Sequence, residues 1–146
     1  MGLEIEHKYL VKDNSFRALA IRQINISQGY LCREKERTIR VRLADNKGFL
    51  TVKGVTKGAA RKEFEVEISP DDAREMLEMC EGNIIEKTRY IVPFEGFEWE
   101  IDCFHGKNEN LIVAEIEIPE ENCVYPIPPF IGENVTGEKR YYNSNL

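Results

Sequence analysis

For most of the chain, apolar and polar residues change places at every second position. That is the period of a strand whose successive side chains point to opposite faces. In Gly2 to Val11, Leu3, Ile5, His7 and Tyr9 take one side, while Glu4, Glu6 and Lys8 take the other. Gln23 to Leu31 predicts a second strand, with Ile24, Ile26, Gln28 and Tyr30 on one face. In Arg37 to Ala44, Ile39, Val41 and Leu43 alternate with Thr38, Arg40 and Arg42. Asp45-Asn46-Lys47-Gly48 reads as a turn, and Phe49 to Val55 returns as the hairpin partner, with Leu50 and Val52 opposite Thr51 and Lys53. Arg61 to Ser69 sets Phe64, Val66 and Ile68 against Arg61, Glu63, Glu65 and Glu67. Ile84 to Phe94 pairs Lys87 with Arg89 on one face and groups Thr88, Tyr90 and Val92 on the other. Phe97, Trp99, Ile101 and Cys103 alternate with Glu98, Glu100 and Asp102. Leu111 to Ile118 places Ile112, Ala114, Ile116 and Ile118 opposite Val113, Glu115 and Glu117. The pattern predicts about eight strands.

Two stretches break this period. Asp13 or Asn14 can cap a short helix through Phe16 to Ala20. Ser69-Pro70-Asp71-Asp72 starts a longer helix whose stripe is Ala73, Met76, Leu77 and Cys80, with Gly82 as its stop. Cys32 to Glu36 reads as a charged turn. After Pro119 the prolines 126, 128 and 129 predict irregular chain, with a turn of helix in Val135 to Leu146.

The 146 residues predict one domain, spanning 1–146. The charged share, 32%, exceeds the usual quarter, and the net charge of −6 argues against a nucleic-acid binder or a ligand of anionic membranes. The sequence shows no secretory signal and no apolar run near the ~20 residues that span a bilayer. Cys32, Cys80, Cys103 and Cys123 have no zinc or redox spacing and predict free thiols in a reducing cytoplasm. His7 and His105 stand far apart and form no metal-ligand pattern.

The charges themselves change the picture most, because they sort by sign. Carboxylates pair as Glu4/Glu6, Glu63/Glu65 and Glu115/Glu117, with Asp102 on a further strand. Cations pair as Arg40/Arg42 and Lys87/Arg89, with Lys8 and Lys53 as single charges. Neighbouring like charges on a sheet cost stability, so a ligand is expected to neutralise them. Carboxylate oxygens suit Mg²⁺ or Mn²⁺, and clustered Arg and Lys suit a phosphate chain. A metal together with a polyphosphate satisfies both. An antiparallel sheet of this size can close into an inverted barrel, charged inside and apolar outside. An open curved sheet has the same faces.

These strings are similar to a known family. Glu4-Ile5-Glu6-His7-Lys8 resembles the E-x-E-x-K signature of the CYTH superfamily, the triphosphate tunnel metalloenzymes. The resemblance continues through Gln28-Gly29-Tyr30-Leu31, Thr38 to Arg42, Leu50 to Gly54, Arg61 to Glu65, Glu86 to Tyr90, Trp99 to Asp102, Ala114 to Glu117 and Val135 to Tyr141. His7 stands where Arg is more usual, and Tyr142-Asn143 where Ser-Asn is common. The resemblance implies a mainly β, α+β fold: an eight-stranded antiparallel β-barrel with a charged interior and a few helices packed outside. It implies a divalent-metal-dependent triphosphatase that cleaves tripolyphosphate and, as in some members, nucleoside triphosphates. The alternatives are a class IV adenylyl cyclase or thiamine triphosphatase on the same fold, or a non-catalytic polyphosphate-binding module. It implies that Glu4, Glu6, Glu115 and Glu117 hold metal, and that Lys8, Arg40, Arg42, Lys53, Lys87 and Arg89 grip phosphate. Lys8, Glu63, Glu65, Asp102 and Tyr30 are the residues it assigns to catalysis. The outward apolar faces predict two covering helices and a homodimer.

Overall fold

The structure, a computed structural model, describes residues 2–146. These form strands β1 (Gly2–Val11), β2 (Arg22–Glu34), β3 (Arg37–Ala44), β4 (Lys47–Gly54), β5 (Ala60–Ile68), β6 (Glu81–Phe94), β7 (Phe97–Phe104), β8 (Ile112–Glu117) and β9 (Ile131–Asn134). Helix α1 (Phe16–Leu19) follows β1, and α2 (Pro70–Glu78) lies between β5 and β6. The strand order is β5-β4-β3-β2-β6-β7-β8-β1-β9, and a further pairing of β5 with β1 closes the first eight strands into an antiparallel barrel. Closure removes the exposed edges that an open sheet would present. β1 makes this possible by dividing one edge: Gly2 to Ile5 pair with β5, and Tyr9 and Val11 pair with β9. Its other edge pairs with β8 from Glu6 to Leu10.

The tight hairpins follow from local chemistry. Asp45 (φ 52°), Glu95 (φ 45°) and Gly96 (φ 86°) take the left-handed backbone that two-residue turns between twisted strands require. Ser69 caps α2 by accepting the Asp72 N–H at 3.0 Å, ahead of Pro70 in the first turn.

The barrel is inverted. Its main apolar core lies outside the wall, where Ile5, Tyr9, Tyr90, Val92, Trp99, Ile101, Ala114 and Ile116 pack beneath Phe16, Phe130 and Ile131. α1 and the chain from Ile118 to Ile131 cover that sector. α2 covers β2, β3 and β4, so closely that a Cβ added at Gly48 would stand 2.8 Å from the Ala73 Cβ. Leu3, Val52, Phe64 and Val66, on the outer face of β1, β4 and β5, remain exposed.

Four details differ from the sequence reading. β2 runs on to Glu34 through the stretch expected to be a turn, and pairs there with β3. α2 ends at Glu78 with Met79 as its C-cap, and Gly82 (φ 66°) instead lies at the start of β6, after Glu81. A short strand, β9, forms within the proline-rich region. The barrel interior is also not charged throughout. Along the inward face of β6, β7 and β8, Ile85, Phe104 and Val113 continue past Lys87, Asp102 and Glu115, and join Tyr30, Leu111 and Leu146 in a second apolar cluster.

Candidate active site

Alternation along the strands sends the charged residues inward, and the barrel gathers them around one cavity of about 240 Å³. Seven Lys and Arg side chains and seven Glu side chains line it. β1 contributes Glu4, Glu6 and Lys8. Lys53 Nζ lies 3.0 Å from Glu4 Oε2 and 3.3 Å from Glu63 Oε2. Lys8 Nζ lies 3.7 Å from Glu115 Oε2 and donates to the Tyr141 carbonyl at 3.0 Å. On the facing wall, Arg40 Nη2 donates to Thr51 Oγ1 at 3.2 Å and lies 3.6 Å from Glu65 Oε1. Arg40 Nε is buried with no hydrogen-bond partner among the described residues. Arg42 Nε donates to Gln28 Oε1 at 2.9 Å.

Also on the inward face, Asp102 anchors two cations. Arg89 donates to it twice, at 2.8 and 3.0 Å, and Lys87 Nζ lies 2.7 Å from its second oxygen. Burial alone would raise the Asp102 carboxyl; Arg89 and Lys87 outweigh it and hold the group at about 2. Burial pulls Lys87 down to about 7, against the opposing pull of Asp102. Burial, with Arg40 and Arg89 alongside, pulls Arg42 down to about 9. These guanidinium groups repel one another in a poorly solvated place, which an anion would relieve.

The carboxylates show the complementary strain. Burial, then Glu115 and Glu4, push the Glu6 carboxyl well above its usual range. Glu115 is held well below its own, because Lys8, the Glu6 carboxyl and Arg89 outweigh its burial. Burial followed by Glu4, Glu63 and Glu100 raises Glu117. Two carboxyl groups that share a proton offer the oxygen donors a hard divalent cation takes. Among the described residues no three carboxylates already converge as a ready-made metal cage. Glu4 and Glu115 are instead paired with Lys53 and Lys8.

Of the residues expected from the sequence, Glu4, Glu6, Lys8, Tyr30, Arg40, Arg42, Lys53, Glu63, Glu65, Lys87, Arg89, Glu115 and Glu117 all line the cavity. Asp102 does not itself line the cavity but is bonded to Arg89 and Lys87, which do. His7 and His105 point outward, with His7 Nδ1 2.6 Å from the Tyr125 hydroxyl and His105 Nε2 2.8 Å from Thr88 Oγ1. The sequence reading missed Gln28 as a partner of Arg42. It also missed Asn143 and its neighbours, which reach the cavity from the tail. Inward alternation marks Gln28, whereas Asn143 carries no periodic signal.

The CYTH-domain family model matches residues 2–142. The chain belongs to the CYTH-domain family. This CYTH domain is 49% identical to an inorganic triphosphatase of Acetivibrio thermocellus, over 100% of this chain and 94% of that protein. It is 33% identical to an inorganic triphosphatase of Nitrosomonas europaea, over 98% and 95% of the two chains. Among solved structures, an inorganic triphosphatase superposes with a TM-score of 0.67 at 30% identity, covering 97% of this CYTH domain and 95% of that chain. A protein from Hippeastrum shares the fold, with a TM-score of 0.61 at 15% identity over 82% and 80% of the two chains.

Proposed function

We propose that this CYTH domain is an inorganic triphosphatase, adding water to tripolyphosphate to give phosphate and diphosphate. The observation that carries this reading is the cavity itself: seven cations and seven glutamates line a space of about 240 Å³. That lining offers many charged groups for a bare phosphate chain and few apolar side chains for a nucleoside or thiamine ring. The likeness to two inorganic triphosphatases along nearly the whole chain supports the same substrate.

Lys8, Arg40, Arg42 and Arg89 bind and straighten the chain. They also offset the charge that builds on the leaving diphosphate. Lys53 bridges Glu4 and Glu63 at the carboxylate side of the cavity. Glu4, Glu6, Glu115 and Glu117 would hold a divalent metal, Mg²⁺ or Mn²⁺ by the hardness of their oxygens. When bound, that metal supplies Lewis-acid stabilisation of phosphoryl oxygens. Lys87 Nζ, held by Asp102 at 2.7 Å and Asn143 at 2.9 Å, keeps one donor for a phosphate oxygen. Four free cysteines and no helix long and apolar enough to cross a membrane, among the described residues, are compatible with our assignment to the cytoplasm.

The test is phosphate release from tripolyphosphate, ATP and thiamine triphosphate, with Mg²⁺ or Mn²⁺. Tripolyphosphate should be the best substrate by kcat/KM. Cyclic AMP as the main product from ATP would overturn the reading in favour of a cyclase. Tight binding of tripolyphosphate without turnover would overturn it in favour of a binding module.

A further inference from the structure

The tail from 135 to 146 enters the anion site. Thr136, Gly137, Tyr142, Asn143 and Ser144 all line the cavity. Two acceptors of the tail meet two lysines of the site. The Tyr141 carbonyl accepts from Lys8 Nζ at 3.0 Å, and Asn143 Oδ1 accepts from Lys87 Nζ at 2.9 Å. The same Asn143 oxygen accepts from Gln28 Nε2 at 3.1 Å, and Gln28 Oε1 accepts from Arg42 Nε at 2.9 Å. Gln28 is wholly buried with both ends of its amide engaged. The tail is itself pinned: Thr136 Oγ1 accepts the Lys8 backbone N–H at 2.9 Å, Arg33 donates to the Ser144 carbonyl, and Leu146 packs on the second apolar cluster.

A lysine ammonium carries three donors on a flexible stem. Lys87 gives one to Asp102 and one to Asn143, which leaves the third for a ligand. Removing the Asn143 oxygen frees the ammonium to turn and releases the Gln28 amide that steadies Arg42. The acceptor is neutral. A carboxylate at this place would make the same two hydrogen bonds but set a negative charge beside incoming phosphate oxygens.

We propose that Asn143 is a positioning residue of the phosphate site, orienting Lys87 directly and Arg42 through Gln28. The inference rests on tripolyphosphate being the ligand. It is tested with Asn143→Ala and Asn143→Asp in the full chain, by steady-state tripolyphosphate hydrolysis with Mg²⁺, thermal unfolding, and calorimetric binding of tripolyphosphate in chelator. Asn143→Ala should lower kcat/KM by about ten- to hundredfold, the scale of one hydrogen bond to a charged group, in a protein that stays folded at the assay temperature. Asn143→Asp should recover kcat towards wild type while KM rises, because orientation returns and charge repulsion is added. Wild-type kcat and KM in Asn143→Ala would overturn the proposal. So would equal losses in both variants accompanied by a lower melting temperature, which would mark the tail as a structural cap. A wild-type protein that binds tripolyphosphate without turnover overturns the triphosphatase reading alone; the positioning role then stands or falls on whether Asn143→Ala weakens that binding about tenfold. A wild-type protein that neither binds nor hydrolyses tripolyphosphate overturns both.

Discussion

Arg40 and Asp102 are both buried and charged, yet they answer to different demands. Arg40 Nε has no hydrogen-bond partner among the described residues, and its guanidinium stands beside Arg42. Its loss removes a repulsion along with one hydrogen bond to Thr51 and a longer contact to Glu65. Arg40→Ala should therefore cut kcat/KM for tripolyphosphate by about a hundredfold, as loss of a phosphate-gripping cation would. Its urea midpoint should equal or exceed that of the wild type. Asp102 is the counter-ion of Lys87 and Arg89, and its contribution depends on pH. Its carboxyl is depressed to about 2 from an ordinary 3.8, so its stabilisation is full above about pH 4 and is lost as pH falls through 2. The shift corresponds to a loss of order 2 kcal/mol. Urea titrations at pH 5 and pH 2 should show that loss in the wild type, and Asp102→Asn should lack that part of it.

At the scale of elements, the sheet was legible wherever one face is apolar and the other charged. Period two alone places Glu115 and Glu117 inward and Ala114 and Ile116 outward. Elements decided by distant partners were not legible. The end of β2 is charged and looks like a turn, but Arg33 finds the carbonyls of Glu81, Asn83 and Ser144. β9 is four residues beside prolines, and forms because β1 offers it an unfilled stretch of edge. Asn143 belongs to a tail without period and becomes visible only when the barrel supplies Lys87 and Gln28. α2 was legible from its cap, but its closeness to β4 was not. Gly48 has no room for a side chain, since an added Cβ would meet Ala73 Cβ at 2.8 Å and the Ser69 carbonyl at 2.9 Å. Gly48→Ala should push α2 off the barrel and cost about 1–3 kcal/mol in urea unfolding, while KM for tripolyphosphate stays at its wild-type value.

For the whole molecule, net charge was a poor guide to the ligand. The cavity-lining Lys and Arg equal the cavity-lining Glu in number, so the acidic excess of −6 lies elsewhere, on residues that do not face the proposed anion. Inside, carboxylates and cations divide the work. Glu115→Gln with Glu117→Gln should raise the Mg²⁺ concentration for half-maximal activity about tenfold or more, and an unchanged titration would remove both as ligands. Inversion also governs what kinds of inherited change the barrel can absorb. Each of the eight barrel strands carries packing residues and inward-facing residues at alternate positions. A point substitution touches one set and spares the other. Inserting or deleting one residue in β8 would instead turn Ala114 and Ile116 into the cavity and Glu115 and Glu117 out of it, exchanging the two sets together. Lineages of this chain should accordingly drift freely in side-chain identity and in loop length, while the number of residues between one inward glutamate and the next stays constant.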